Sequence, residues 1–398
     1  VPGWDELLER LAETPRENGT AALHETAAWL EGILREGGLH VERVAFQAHP
    51  YGLRLAGVVV LLGVLLYARL AFVGRWRAAL VTAVVASGAV LAQLDYQVPI
   101  FSWIGAETQH HVLARVGPEQ PEQRLIVAAH YDTKTDVLDH VQRAPVDLLA
   151  VPVVPLMILG ALGGALAGRF ARAGRWLTRF GRFAAVAGVI YGLATFVVLS
   201  AGAFVPARSP GALDDGASCA VMVRMAEALA KDPPEHVQVE LLWLSAEEVG
   251  VQGSWAYAAQ RFAEAPDVPT WVVNLEGLGA GAEHQVIRRE TFTLRSYPPA
   301  PELVSRLEEV HQEELGIPLE PTWYGGATDA RAFLAHGVPA ATVVSHAPGT
   351  EVTRHLHSAA DSRDRLDMDA LEASVTFLTA FVRDVDRTPL PQGLRSRP

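Results

Sequence analysis

Arg124-Leu125-Ile126-Val127-Ala128-Ala129-His130-Tyr131-Asp132 is the stretch on which the fold turns. Consecutive apolar residues closed by polar ones form the pattern of a short strand buried on both faces, as in the middle of a sheet covered by helices. Upstream, Leu23, Ala27, Leu30 and Leu34 recur at helical spacing and stop at Gly37-Gly38. Val41, Val44 and Phe46 then suggest a strand, and another is expected at 111–115. Downstream, helix and strand alternate: helix 217–231, strand 238–244, helix 253–264, strand 271–275, helix 301–315, strand 340–344 and helix 368–385. That order predicts an α/β protein, a mixed sheet between helical layers, in which ligands collect at the carboxyl ends of the strands.

Two apolar blocks interrupt this body. The stretches 55–73 and 78–94, then 148–168 and 183–205, are nearly free of charge. About 20 residues cross a hydrocarbon core about 30 Å thick, so each block is expected to be a transmembrane hairpin. The domains are then a three-piece body, 1–52, 96–147 and 206–398, and hairpins at 53–95 and 148–205. Gly160, Gly164 and Gly168 repeat at a spacing that lets helices approach closely in lipid, and Pro152 and Pro155 are expected to kink the third span.

Charge separates the same regions. Ten arginines and no acid lie in 53–94 and 148–210, so the rest of the chain carries −22 of a net charge of −12. An acidic body repels phosphate backbones, which excludes nucleic acid as a partner through bulk charge. Arg75 and Arg77 join the first pair of spans, and Arg169, Arg172, Arg175, Arg179 and Arg182 the second. Arg-rich loops stay cytoplasmic, which places the body outside. Cys219 is the one cysteine, so no disulfide framework holds the fold, and it reads as a small buried residue.

Five polar clusters sit where strands end or loops begin. They are His130-Tyr131-Asp132, Gly211-Ala212-Leu213-Asp214-Asp215-Gly216, Glu247-Glu248, Asn274-Leu275-Glu276-Gly277 and His355-Leu356-His357-Ser358-Ala359-Ala360-Asp361. Each alone is explained by a polar loop or a helix cap. Together they supply two sets of imidazole and carboxylate ligands, the donor chemistry that suits zinc, with adjacent acids able to divide metal binding from proton transfer.

These motifs resemble the two-zinc exopeptidases, the family of secreted bacterial leucyl aminopeptidases, glutamate carboxypeptidases and the vacuolar and endoplasmic-reticulum membrane proteases. The resemblance covers essentially the whole body and implies a three-layer αβα fold around a central mixed sheet. It makes Asp214 a bridging ligand of two Zn²⁺, with His130 and Glu276 on one ion and Glu248 and His357 on the other. Glu247 becomes the general base, Asp132 orients His130, and Asp329 and Asp361 support the ligands from behind. A cis peptide after the bridging acid is also implied, at Asp214-Asp215. Asn274-Leu275-Glu276-Gly277 is most like the membrane-protease branch, which carries its membrane helices outside the catalytic domain rather than within it.

The expected function is a membrane-embedded aminopeptidase that hydrolyses N-terminal residues from peptides with metal-activated water. His346 and Tyr324 are candidates for substrate contact, and His355 is the runner-up to His357. The second hairpin leaves soon after His130 and returns just before Asp214. The active-site rim is therefore expected near the bilayer, with substrates released at or tethered to it. One alternative is a single-zinc glutaminyl cyclase, which has the same fold and resembles His130-Tyr131-Asp132-Thr133-Lys134 and Cys219-Ala220, but has Trp where this chain has Leu356. The other is a non-catalytic receptor-like ectodomain, although relatives of that kind have lost ligands that are all present here.

Overall fold

A computed structural model describes every residue except Tyr96, 102–104, Ala171, Ala265, Asp267, Ala282, 292–293, Gly325, 346–351 and 392–398. The chain divides into two units, one of 1–50, 106–135 and 207–398, the other of 51–105 and 136–206.

The first unit is built on strands β1 (His40–Ala48), β2 (Glu107–Val116), β3 (Gln123–His130), β4 (Val237–Leu244), β5 (Thr270–Glu276), β6 (Gln285–Ile287), β7 (Glu290–Thr291), β8 (Ser296–Tyr297), β9 (Glu320–Thr322) and β10 (Ala340–Val344). Eight of them form a mixed sheet in the order β1-β2-β4-β3-β5-β10-β6-β9, while β7 and β8 pair separately. The centre is parallel: β3 lies beside both β4 and β5, and β5 beside β10. Because His130 pairs with Leu244 and Val344 with Glu276, the carboxyl ends of β3, β4, β5 and β10 open on one edge.

Alternation along β3 feeds two cores. Leu125, Val127 and Ala129 pack on one face with Leu303, Phe377 and Phe381, and Ile126 and Ala128 on the other with Tyr257 and Phe333. The first face is covered by α1 (Trp4–Ala12), α2 (Ala21–Glu36), α7 (Ala217–Lys231), α9 (Pro301–Leu315) and α11 (Met368–Arg387). The second is covered by α8 (Gln252–Arg261) and α10 (Ala330–Ala335). Those two coverings complete the three layers. Helix α1, not foreseen, buries Leu7, Leu8 and Leu11.

The second unit is a bundle of α3 (Gly52–Phe72), α4 (Trp76–Asp95), α5 (His140–Leu166) and α6 (Gly174–Ser200), each within a stretch long and apolar enough to cross a membrane. Two boundaries differ from expectation. Helix α5 begins at His140 rather than 148 because Asp139 Oδ1 accepts the Gln142 amide at 2.7 Å while Gln142 Oε1 accepts the Asp139 amide at 3.2 Å, a reciprocal cap. It runs on through Pro145, Pro152 and Pro155. Helix α6 begins at Gly174 rather than 183, so Arg175, Arg179 and Arg182 lie on the helix and not in a loop. Arginine is a good helix former, and charge alone does not end a helix.

The glycine repeat divides too. A Cβ at Gly160 would meet Ala184 Cβ at 2.6 Å, and one at Gly164 would meet Trp76 at 2.2 Å. At Gly168 it would meet nothing within 4 Å, so only the first two glycines serve close packing.

Candidate metal centre

The parallel strands bring His130 and Glu276 out at their carboxyl ends and release Glu247 and Glu248 from the loop after β4. The loop before α7 supplies Asp214, whose peptide bond to Asp215 is cis. Asp214 lies between two imidazoles: Oδ1 is 3.2 Å from His130 Nε2, and Oδ2 is 3.1 Å from His357 Nε2. Glu276 Oε1 approaches the first ring at 3.7 Å, and Glu248 Oε2 the second at 3.0 Å. Five residues far apart in sequence thus form two adjoining groups sharing one carboxylate. His355 makes its recorded contacts through its carbonyl, which accepts from the Ser358 amide and hydroxyl.

The donor set suits zinc in chemistry and in burial. Glu248 Oε1 and Glu276 Oε2 are buried without a hydrogen-bond partner among the described residues. Buried carboxylate oxygens demand compensation, and a cation supplies it. His130, Asp215 and Glu276 also present ligand atoms within 4.8 Å of one another. Asp215, however, accepts from the His130 amide at 3.3 Å and the Gly277 amide at 3.0 Å. Its carboxylate joins the ends of β3 and β5, whereas Asp214 faces the imidazoles.

Supporting contacts fix each loop. Asp132 Oδ1 accepts the Glu247 amide at 3.2 Å, and Oδ2 accepts the Glu248 amide at 3.1 Å and Asn18 Nδ2 at 2.6 Å. His130 Nδ1 lies 3.1 Å from the Asp132 carbonyl and 3.6 Å from Oδ1. Asp132 therefore anchors the acidic pair as well as flanking the ring. Asp361 accepts the Leu213 amide at 2.7 Å and the Asp214 amide at 3.3 Å. His357 has φ of 60° and Ala246, just before the acidic pair, 65°, left-handed values that non-glycine residues adopt at some cost and that gather at functional sites.

Electrostatics concentrate here. Burial lowers the His130 imidazole's pKa, but Asp132, Asp214 and Glu276 outweigh it and hold the pKa well above the usual value. Burial raises the Glu247 carboxyl, and Glu248, Glu276 and Asp329 add to that rise against the pull of His130. Glu276 is pushed up to about 7 by burial, against its contact with His130. Asp329 also rises to about 7 through burial, against His130. Tyr324 is half-buried; burial raises its phenol, and the charges of Glu276, Asp214 and Glu247 raise it further. His346 lies outside the described residues.

Several supports carried no sequence signal. Arg16 is fully buried and donates to the carbonyls of Tyr131 at 2.7 Å, Thr14 at 2.8 Å, Pro210 at 2.8 Å and Gly211 at 3.2 Å, tying the His130 loop to the Asp214 loop. Glu290, on a two-residue strand, accepts from the Thr328 amide at 2.8 Å and from Thr342 Oγ1 at 2.7 Å, which fixes the turn carrying Asp329. Buried His111 stacks on Phe46 with ring centroids 4.2 Å apart, and its Nδ1 accepts the Ser245 amide at 3.3 Å. Cys219 is buried, its Sγ donating to the His130 carbonyl at 3.2 Å.

Residues 196–382 match the model of peptidase family M28, and the resemblance carried by the motifs is to that zinc exopeptidase family. No curated protein sequence matches the chain. Solved structures share the fold. The LapA aminopeptidase of Legionella pneumophila is 14% identical with a TM-score of 0.54, over 96% of this chain and 70% of that one. Porphyromonas gingivalis glutaminyl cyclase is 13% identical with a TM-score of 0.55, over 96% and 95%. An aminopeptidase from Aneurinibacillus sp. strain AM-1 is 15% identical with a TM-score of 0.54, over 99% and 95%.

Proposed function

We propose that this chain is a membrane-embedded dizinc aminopeptidase. The observation that carries the reading is Asp214, with one carboxylate oxygen turned to each of His130 and His357. That is the arrangement of a ligand shared between two cations. His130 and Glu276 would hold one zinc, Glu248 and His357 the other, with Asp214 common to both. Bound zinc supplies Lewis acidity and lowers the pKa of water from 15.7 to about 7.

The chain's own groups do the rest. Glu247 is a half-buried carboxyl whose pKa burial raises, the state that suits a group that must both take and return a proton. It takes the proton of the attacking water and hands it to the leaving amine. Tyr324 and His346 are the candidates for contact with the substrate. Glu247→Gln is expected to retain zinc and lower turnover by about 10²–10⁴-fold. Near-normal turnover in that variant would remove Glu247 from the role.

The four apolar helices support crossing of the bilayer, and the Arg-rich ends support a cytoplasmic side there, with the peptidase body extracytoplasmic. Substrates would then be peptides released at the membrane. A higher kcat/KM for a lipid-anchored peptide than for the same peptide free in solution tests this. Glutaminyl cyclase is the second reading, supported by the cyclases among the structural neighbours. Zinc content, together with assays on an N-terminal Gln peptide and a Leu-anilide, separates the two.

A further inference from the structure

The helical bundle gathers most of its arginines at one end and its acids, together with Arg54 and Arg143, at the other. Helices α3 and α5 run toward the two connecting turns, and α4 and α6 run away from them. Gly57 beside Ser200, Gly192 beside Val64, and Gly164 and Gly181 beside Trp76 mark successive levels toward that end. Arg75, Arg77, Arg169, Arg172, Arg175, Arg179 and Arg182 lie at the turn end, all exposed. The unit's acids, Asp95, Asp136, Asp139 and Asp147, belong to the other ends of the helices.

Arg175, Arg179 and Arg182 follow one face of α6, spaced four and three residues apart, and descend about 10 Å along its axis. Arg182 lies over the Phe72 ring at 5.9 Å and Arg179 over Trp176 at 5.6 Å, which joins the two turns into one surface. Around them Trp176, Phe183, Phe170 and Phe72 are 70, 63, 52 and 51% exposed. Exposed Trp gathers at the headgroup level of a bilayer, and exposed Phe buries at the boundary of headgroup and acyl chain. Arginine outnumbers lysine throughout the chain, where Lys134 and Lys231 are the two lysines, so placement rather than residue type singles out this end.

We propose that the Arg175–Arg179–Arg182 stripe, with Arg75 and Arg77 beside it, binds the phosphate of an anionic phospholipid. The proposal rests on the reading that these helices cross a bilayer. A guanidinium two turns below the helix start sits at the boundary of headgroup and acyl chain, where an unpaired charge is costly. A lipid phosphate reaches that depth while its acyl chains cover the aromatic rings. A soluble polyanion reaches only the outer arginines. Guanidinium also matches phosphate by paired hydrogen bonds.

The test uses the full chain in phosphatidylcholine vesicles containing a minor fraction of bromine-labelled lipid. The readout is quenching of Trp176 fluorescence, isolated by subtracting Trp176→Phe. Labelled phosphatidylglycerol is expected to quench more than labelled phosphatidylcholine. Replacing Arg175, Arg179 and Arg182 together by Gln is expected to abolish the excess. Arg179→Gln alone weakens it about fivefold, from about 1 kcal/mol per basic residue near an anionic surface. Replacing exposed Arg288, Arg289 and Arg295 by Gln leaves it unchanged. Equal quenching by the two lipids, or an excess that survives the triple substitution, overturns the proposal while the membrane reading stands. So does displacement of phosphatidylglycerol by an RNA oligonucleotide at equal phosphate concentration, which would make the surface a general polyanion site. A chain that fails to float with any vesicle and is released by alkaline carbonate overturns the membrane reading itself.

Discussion

Arg16 Nε donates to the Tyr131 carbonyl at 2.7 Å, in the loop between two residues of the metal centre, and the same guanidinium holds Pro210 and Gly211 before Asp214. A cation buried this fully against carbonyl oxygens fixes the spacing of two ligand loops without contributing a ligand.

Arg16→Ala is therefore expected to destabilise the protein. Each buried carbonyl left without a donor costs about 1–3 kcal/mol. Arg16→Lys, which keeps the charge but has fewer donors, falls between. Urea denaturation of the full chain in detergent measures the loss, and a midpoint shared by Arg16→Ala and wild type would contradict this role.

Asp361 acts on the other side of the same loop through the Leu213 and Asp214 amides. Its carboxyl is pushed up to about 7 by burial and by Asp214, against those two amides. Asp361→Asn turns one acceptor into a donor facing an N–H. Groups that orient ligands from behind change metal affinity by about 10–100-fold. Chelator competition is expected to show that drop, with activity restored by excess zinc. Unchanged zinc affinity would mean that the loop holds its shape without Asp361.

A pH dependence of stability follows from histidines buried as neutral rings. His284 Nδ1 lies 3.0 Å from His311 Nε2, and His311 Nδ1 lies 2.8 Å from the Ile317 carbonyl. That carbonyl can only accept, so His311 Nδ1 donates; burial favours the neutral form of both rings, in which His311 Nε2 accepts from His284 Nδ1 and His284 Nε2 accepts from Ser374 Oγ at 2.7 Å. Burial, then His311, lowers His284 to about 3, and burial lowers His111 to about 3. The unfolded rings titrate near 6.5. Above that value neither state binds the proton and stability is complete. As pH falls from about 6.5 toward 3, only the unfolded chain gains protons, so stability declines by about 2 kcal/mol per ring at pH 5. His284→Gln is expected to flatten the fall in denaturation free energy between pH 8 and pH 5. An unaltered slope would show that His284 titrates in the folded state.

Within the bundle, a Cβ on Gly181 would meet Trp76 at 2.7 Å and the Gly160 carbonyl at 2.8 Å. Gly181→Leu is expected to lower thermal stability in detergent by about 1–3 kcal/mol through overpacking. Gly168→Ala, which meets open space, is the control. Equal melting temperatures for the two variants would mean that the helices separate at Gly181 without cost.

The central strands were legible because they are buried on both faces: Leu125–Ala129 and Trp271-Val272-Val273 read as apolar runs however they are oriented. The loop acids were legible because strands end where they begin. Strands β6 to β9 were not, since two or three residues show no period. Arg16 and Glu290 were not, since the contacts by which they fix the ligand loops are to partners more than thirty residues away and neither sits in a cluster. The starts of α5 and α6 were missed for a simpler reason. A hydropathy window marks where charge stops, whereas a helix starts where its first amides find acceptors.

Strand β4 lies between β2 and β3, yet it is synthesised after both, with the α5–α6 segment intervening. For a chain whose hairpins cross a bilayer, β2 and β3 reach the far side as separated neighbours and wait, with a strand-wide gap, for the piece that unites them. In such a chain the sheet stays unfinished, with the facing edges of β2 and β3 unpaired, until the α5–α6 hairpin has been inserted and β4 follows it.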